Sequence, residues 1–189
     1  MSATRILNSS LSALLMLFLI SCDSDSSIQT PDQIVVNITQ ISECGGFNNS
    51  TQRGEIDIPF TIDPFTYCDT EKLYWLYDEN STVLSLMNTR VLLNCCGDHA
   101  ITASFEDDVL VITEDDQPPP DGSGRCRCEC VFDFFIEVSG ISTDVSTFKL
   151  DLTVDNTTRT KWEGNIDLEK GIGEIIIDDE ALENCDTVT

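Results

Sequence analysis

The chain has 189 residues, with 34 acidic against 10 basic side chains and a formal net charge of −24. Such a surface repels phosphate backbones, which excludes nucleic acid as a partner; the acidity alone implies solubility rather than a particular ligand. The length suits one domain with a substantial core.

In chain order, Met1–Ser10 is a short start whose one basic side chain is Arg5. Leu11–Ile20 (LSALLMLFLI) is an apolar run of about ten residues, the size of a signal-peptide core and about half of what spans a bilayer. Leu19-Ile20-Ser21-Cys22 comes next. The tetrapeptide resembles a bacterial lipobox. That resemblance implies that residues 1–21 are a leader, that cleavage falls before Cys22, and that Cys22 is diacylated. The alternative is an ordinary secretory signal with an incidental cysteine. Several acyl chains suffice as an anchor, since each buried methylene contributes about 0.8 kcal/mol. Residues 22–33 then read as the lipidated cysteine and a flexible polar tether, because DSDSSIQTPDQ has no apolar periodicity. Asp23 resembles an inner-membrane retention signal in some bacteria, whereas early acidic residues accompany surface export in others. The reading favours the outer membrane or cell surface.

From residue 34 the chain is written in strands. Ile34–Ile41 is a β-branched run, Glu55–Ile62 alternates with Pro59 marking an edge or bulge, and Lys72–Tyr77 is a short aromatic strand. Thr82–Asn94 is apolar without a clear period; the context assigns it to strand with a turn near Asn88. Ala100–Phe105 and Val109–Thr113 read as a hairpin around Glu106-Asp107-Asp108. Glu114–Gly124 (EDDQPPPDGSG) reads as a long loop inside one domain rather than a domain boundary. Cys126–Val138 is the longest clean strand. Phe148–Val154, Thr160–Leu168 and Glu174–Asp178 complete the series, separated by turns at Ser139–Asp144, Asp155–Thr158 and Gly171–Gly173. Roughly nine strands with turns about every ten residues predict an all-β fold: an antiparallel β-sandwich, immunoglobulin-like or related, over residues 34–186.

Nine cysteines are present. Setting Cys22 aside leaves Cys44, Cys68, Cys95, Cys96, Cys126, Cys128, Cys130 and Cys185, an even number that in an exported chain reads as disulfides. Residues two apart in a strand lie about 6.5 Å apart, near the limit for a bridge. Cys126, Cys128 and Cys130 therefore each need a partner elsewhere, and at least one of Cys95 and Cys96 is expected to supply one. The shared parity with Phe132, Phe134, Ile136 and Val138 puts the cysteines on a buried face. Arg125, Arg127, Glu129, Asp133 and Glu137 line the other face, with Val131 and Phe135 as exceptions. The rival reading is a soft-metal site of alternating thiolates; against it, CxxC knuckles are absent and His99 is the only histidine. A redox enzyme would instead need an exposed CxxC at a helix N-terminus.

Other chemistries are weakly signalled. His99 reads as a turn residue, no G-x-S-x-G elbow surrounds a serine, and so many acids make carboxylate pairs uninformative. Glu106-Asp107-Asp108 and Glu114-Asp115-Asp116, with Asp121, could offer oxygens to calcium, with Asp107, Asp108, Asp115 and Asp116 the candidates, the plainer reading being solvated acidic loops. Tyr74, Trp75, Tyr77 and Trp162 are candidates for a glycan platform; by default one set is core. No cofactor is indicated.

The lipobox, Leu93-Asn94-Cys95-Cys96, the Val111–Glu114 strand end, and Cys126-x-Cys128-x-Cys130-x-Phe132-Asp133 with its following Val-Ser-Gly turn resemble a group of uncharacterised envelope lipoproteins from Bacteroidetes-like bacteria. The likeness covers about 50 central residues plus the leader. It implies an envelope location and β-architecture and says nothing of mechanism. The resulting expectation is a lipid-anchored, non-enzymatic binding or structural module, held to the membrane through Cys22, with an envelope protein or glycan as partner. The alternatives are a metal-handling lipoprotein and an envelope enzyme acting on glycans or peptides.

Overall fold

Alternation of apolar and polar side chains produces nine strands in this computed structural model, which describes residues 34–47, 60, 70–145 and 147–178. They are β1 (Val35–Ile41), β2 (Glu71–Asp78), β3 (Val83–Asn94), β4 (Asp98–Glu106), β5 (Val109–Gln117), β6 (Glu129–Ser139), β7 (Thr147–Val154), β8 (Thr157–Asn165) and β9 (Ile172–Asp178). One sheet runs β1-β6-β3-β2-β9 and the other β4-β5-β7-β8. The expected β-sandwich is the architecture observed. The pairings are antiparallel except one: β5 and β7 are parallel. The chain leaves β5, crosses to the first sheet as β6, and returns as β7 in the same direction as β5.

The core lies between the sheets. Leu73, Trp75 and Tyr77 of β2 meet Leu110 and Ile112 of β5 and Phe148, Leu150 and Leu152 of β7, with alternate β6 residues from Cys130 to Val138 along the middle. Burying each large apolar side chain contributes about 1.5–3 kcal/mol. The two hairpins of the second sheet close on two-residue turns with both residues at positive φ, Asp107-Asp108 (49° and 67°) and Asp155-Asn156 (50° and 61°). That geometry matches the right-handed twist of the flanking strands. Thr157 and Thr158, expected in the turn, are the first residues of β8.

Thr82–Asn94, expected as strand and turn, contains one continuous strand with a bulge between Asn88 and Val91, where Arg90 has φ 64°. The bulge inserts a residue and inverts the parity. Leu84 and Leu86 before it and Val91 and Leu93 after it all face the core. β5 continues to Gln117, so Glu114-Asp115-Asp116 is strand rather than loop, and the irregular stretch runs over 118–128.

The strand expected from Cys126 begins at Glu129. Of its three cysteines only Cys130 is buried; Cys126 and Cys128 are exposed, because they lie beyond the pairing of β6 with β3. The opposite face of β6 is also covered. Residues 42–45 continue alongside it through Ser42 N–H to the Asp133 carbonyl and Gly45 N–H to the Val131 carbonyl. Phe47 then packs on Phe135 and Met87, with Ile38, Phe60 and Tyr74 around them. Val131 and Phe135 are thus a second apolar layer, and Asp133 is buried with them. Cys22, Cys68, Cys185, the leader, the tether and, apart from Phe60, the expected strand Glu55–Ile62 lie outside the described residues.

Candidate functional site

At the end of the sandwich where β3 stops and β6 begins, three bridges join the chain: Cys44–Cys130, Cys95–Cys128 and Cys96–Cys126. Each cysteine of the CxCxC motif finds its partner elsewhere, and both members of the vicinal pair take part. The two outer bridges are tandem links between the same two segments. Asn94 braces them, its amide donating to the carbonyls of Cys126 (2.8 Å) and Cys128 (3.1 Å), while Cys95 N–H donates to the Cys128 carbonyl.

Beside the bridges is an ionic cluster that runs from buried Asp116 out to exposed Asp155. Arg125 donates from one terminal nitrogen to both oxygens of Asp116 (2.8 and 2.9 Å) and from the other to Asp155 (2.8 Å). The hydrogen bond to Asp155 leads the causes that raise the Arg125 pKa. His99, expected in a turn, is in β4; its ring packs on Phe132 at 4.3 Å between centroids, and Nε2 lies 3.4 Å from Asp116 Oδ1. Burial lowers its pKa, with Asp116 pulling the other way. Gly97 makes room: a Cβ there would collide with Asp116 and His99. The arrangement locks one pole of the fold and withdraws the only imidazole from solvent.

The calcium candidates are not brought together. Asp107 and Asp108 form the turn at one end of β5, and Asp115 and Asp116 lie seven or more residues along it, a distance of about 24 Å at strand rise. Asp116 is also taken by Arg125. Among the aromatics, Trp75 and Tyr77 are core, Tyr74 belongs to the outer layer, and Trp162 is half-buried against the core. A groove of about 480 Å³ opens at the opposite end of the sandwich, lined by Tyr77, Asp78, Glu79, Asn80, Leu168 and Glu169, among others. Asp78 is engaged locally by Asn80 N–H and the Ser81 hydroxyl, which lower its pKa, the hydroxyl foremost.

The burial of three carboxylates, Asp133, Glu114 and Asp151, went unrecognised in the sequence. Asp133 accepts the amides of Phe47 and Arg90, both at 2.9 Å; burial raises its pKa against those bonds. Glu114 lies between the sheets, fully buried. Parity was the available signal for Glu114, since it follows Leu110 and Ile112 onto the inner face of β5.

No family model matches the chain, and no curated protein or solved structure shows significant similarity to it. The described residues contain no helix long and apolar enough to cross a membrane.

Proposed function

We propose that the protein is a lipid-anchored component of the bacterial cell envelope that works as a binding or structural module. The observation that carries this is the pairing of all six cysteines among the described residues, a pattern at home in an oxidising compartment. The lipobox-like Leu19–Cys22 stretch supplies the anchor in this reading. Buried His99 supports a non-catalytic role, because it offers no accessible imidazole to a substrate. A soft-metal role for the same cysteines is disfavoured, since a bridged sulfur is not a thiolate ligand.

β1 begins opposite Ser139, at the end of the sandwich that carries the acidic groove, and the bridges lie at the other end.

The test is acylation. In bacteria expressing the full chain, a clickable palmitate analogue should label the protein and direct it to the detergent phase, and Cys22→Ala should abolish both. Label that persists in Cys22→Ala, or a wild-type chain released unlabelled, would remove the anchor from the proposal.

A further inference from the structure

Between the sheets, four polar side chains converge from four strands. Asn88 of β3 donates through Nδ2 to Glu71 Oε1 of β2 and to Glu114 Oε1 of β5, each at 2.7 Å. Lys161 of β8 donates to Glu71 Oε1 and stands 3.6 Å from Glu114 Oε2, an ion-pair separation rather than a hydrogen bond. The Lys161, Glu71 and Glu114 side chains are 7%, 10% and 0% exposed. Local backbone irregularities surround the cluster. The β3–β6 register shifts just after Asn88, the β7–β8 register shifts where Lys161 is inserted, and the β2–β9 register shifts at Glu71. Bulges re-aim side chains and concentrate beside functional sites.

Two counts fail to close with every acid ionised. Two carboxylates face one ammonium, leaving one uncompensated negative charge in a buried seam, which is costly. Two acceptors, Glu114 Oε2 and Asn88 Oδ1, are buried with no hydrogen-bond partner. Rotating the Asn88 amide would not help, since its oxygen would then face carboxylates. One proton settles both counts. On Glu114 Oε2 it cancels the excess charge and adds a donor to a seam whose unpartnered atoms are both acceptors. A metal ion is a poorer occupant, because Lys161 already provides the cation.

We propose that the Glu71–Asn88–Glu114–Lys161 cluster is a proton-binding site that latches the two sheets, with Glu114 a carboxylic acid in the folded protein and Glu71 the partner of Lys161.

The electrostatics agree. Burial pushes the Glu114 pKa from an ordinary 4.5 to about 7; Glu71 adds to the rise, and Lys161 and Asn88 oppose it. The strands flanking β5 present only apolar side chains at this level, Ile101 from β4 and Leu152 from β7. Phe134 of β6 lies beside Asn88. Arg90, on the same strand as Asn88, has Asp133 as a carboxylate neighbour, and Asp116 pairs with Arg125 and His99. The folded state therefore holds a proton that the unfolded chain releases. The site's contribution to stability is full below about pH 4.5, falls as pH rises toward about 7, and levels off above it. The folding equilibrium changes by about 10²-fold across that window.

The test uses protein labelled with ¹³C at the glutamate δ-carboxyls, titrated by NMR, beside urea unfolding at about pH 5 and about pH 8. One buried carboxyl carbon should titrate near neutrality in wild type and vanish in Glu114→Gln. That variant should fold, since its amide N–H replaces the acid O–H, and should lose the Glu114 part of the pH dependence, so that the wild-type and variant unfolding constants diverge by about 10²-fold from one pH to the other. The proposal is overturned by a Glu114 carboxyl that is ionised at about pH 5 in the folded protein, or by wild type and Glu114→Gln that respond to pH in parallel.

Discussion

Asp133 shows how a single side chain can fix two pieces of irregular backbone. Its Oδ1 accepts the Arg90 amide, freed from the ladder by the β3 bulge, and its Oδ2 accepts the Phe47 amide in the segment after β1. Its own N–H donates to the Ser42 hydroxyl oxygen at 2.8 Å. The segment approaches closely: at Gly46, with φ 80°, a Cβ would lie 2.6 Å from Asp133 Oδ2. Asp133→Asn tests the arrangement with almost no change in shape. The amide can accept one of the two N–H groups, and its NH₂ must then face the other. We expect a loss of about 2–4 kcal/mol in the urea unfolding free energy, with the Cys44–Cys130 bridge still formed. A loss below about 0.5 kcal/mol would show that solvent or a shifted backbone satisfies the second amide. None of this was legible in the sequence, where Asp133 alternates correctly for an exposed face. Its burial comes from a segment some 90 residues away in sequence, and no local period encodes that.

At the scale of elements, legibility follows the regularity of the ladder. β2 buries every second side chain and the apolar half of β7 alternates, so both were readable as strands, whereas β5 was readable only to Thr113 because its acidic second half reads as loop. β3 was ambiguous because its bulge inverts parity midway, so a single strand looks like two out-of-phase halves. The parallel β5–β7 pair was invisible, since strand patterns do not reveal partners. A glycine at a close approach is similarly silent until the fold is seen. Gly173 of β9 pairs with Trp75 of β2, and a Cβ at Gly173 would collide with the indole ring. The ring lies over the bare backbone of an edge strand, an arrangement that requires glycine. Gly173→Ala should therefore tilt Trp75 or detach β9, with a stability loss of about 1–3 kcal/mol. Tryptophan fluorescence separates this from a general effect if it is measured in a Trp162→Phe background, where Trp75 is the only reporter. The emission should shift to the red in native buffer. An unchanged spectrum together with unchanged stability would mean that the edge strand moves aside freely.

For the whole molecule, the disulfides set how the parts depend on one another. Cys44–Cys130 spans 86 residues, while Cys95–Cys128 and Cys96–Cys126 span 33 and 30. In the chain-entropy picture, closing the long loop stabilises the fold by about 4–5 kcal/mol and closing one of the shorter loops by about 3–4. The tandem pair is not worth twice that. Once Cys95 is tied to Cys128, Cys96 and Cys126 are already neighbours, so the second bridge restricts the unfolded chain very little further. Replacing Cys96 and Cys126 together by Ala should therefore cost about 1 kcal/mol or less, and the same holds for Cys95 with Cys128. Replacing all four should cost about 3–4 kcal/mol, well beyond the sum of the two. Urea unfolding of the three variants and wild type gives this cycle directly. Strict additivity would contradict it and would mean that each outer bridge supports native contacts of its own, such as the Asn94 clasp on the carbonyls of Cys126 and Cys128. Accessibility gives an independent check. Exchange needs a thiolate to reach a sulfur; Cys44, Cys126 and Cys128 are exposed, whereas Cys130 is 5% exposed within the core. Under native conditions with limiting reductant, alkylation should appear first on the four outer cysteines, and Cys44–Cys130, open to attack only at Cys44, should follow more slowly. The redundancy then has a physical meaning: the pole can lose one outer link to exchange and remain closed by the other.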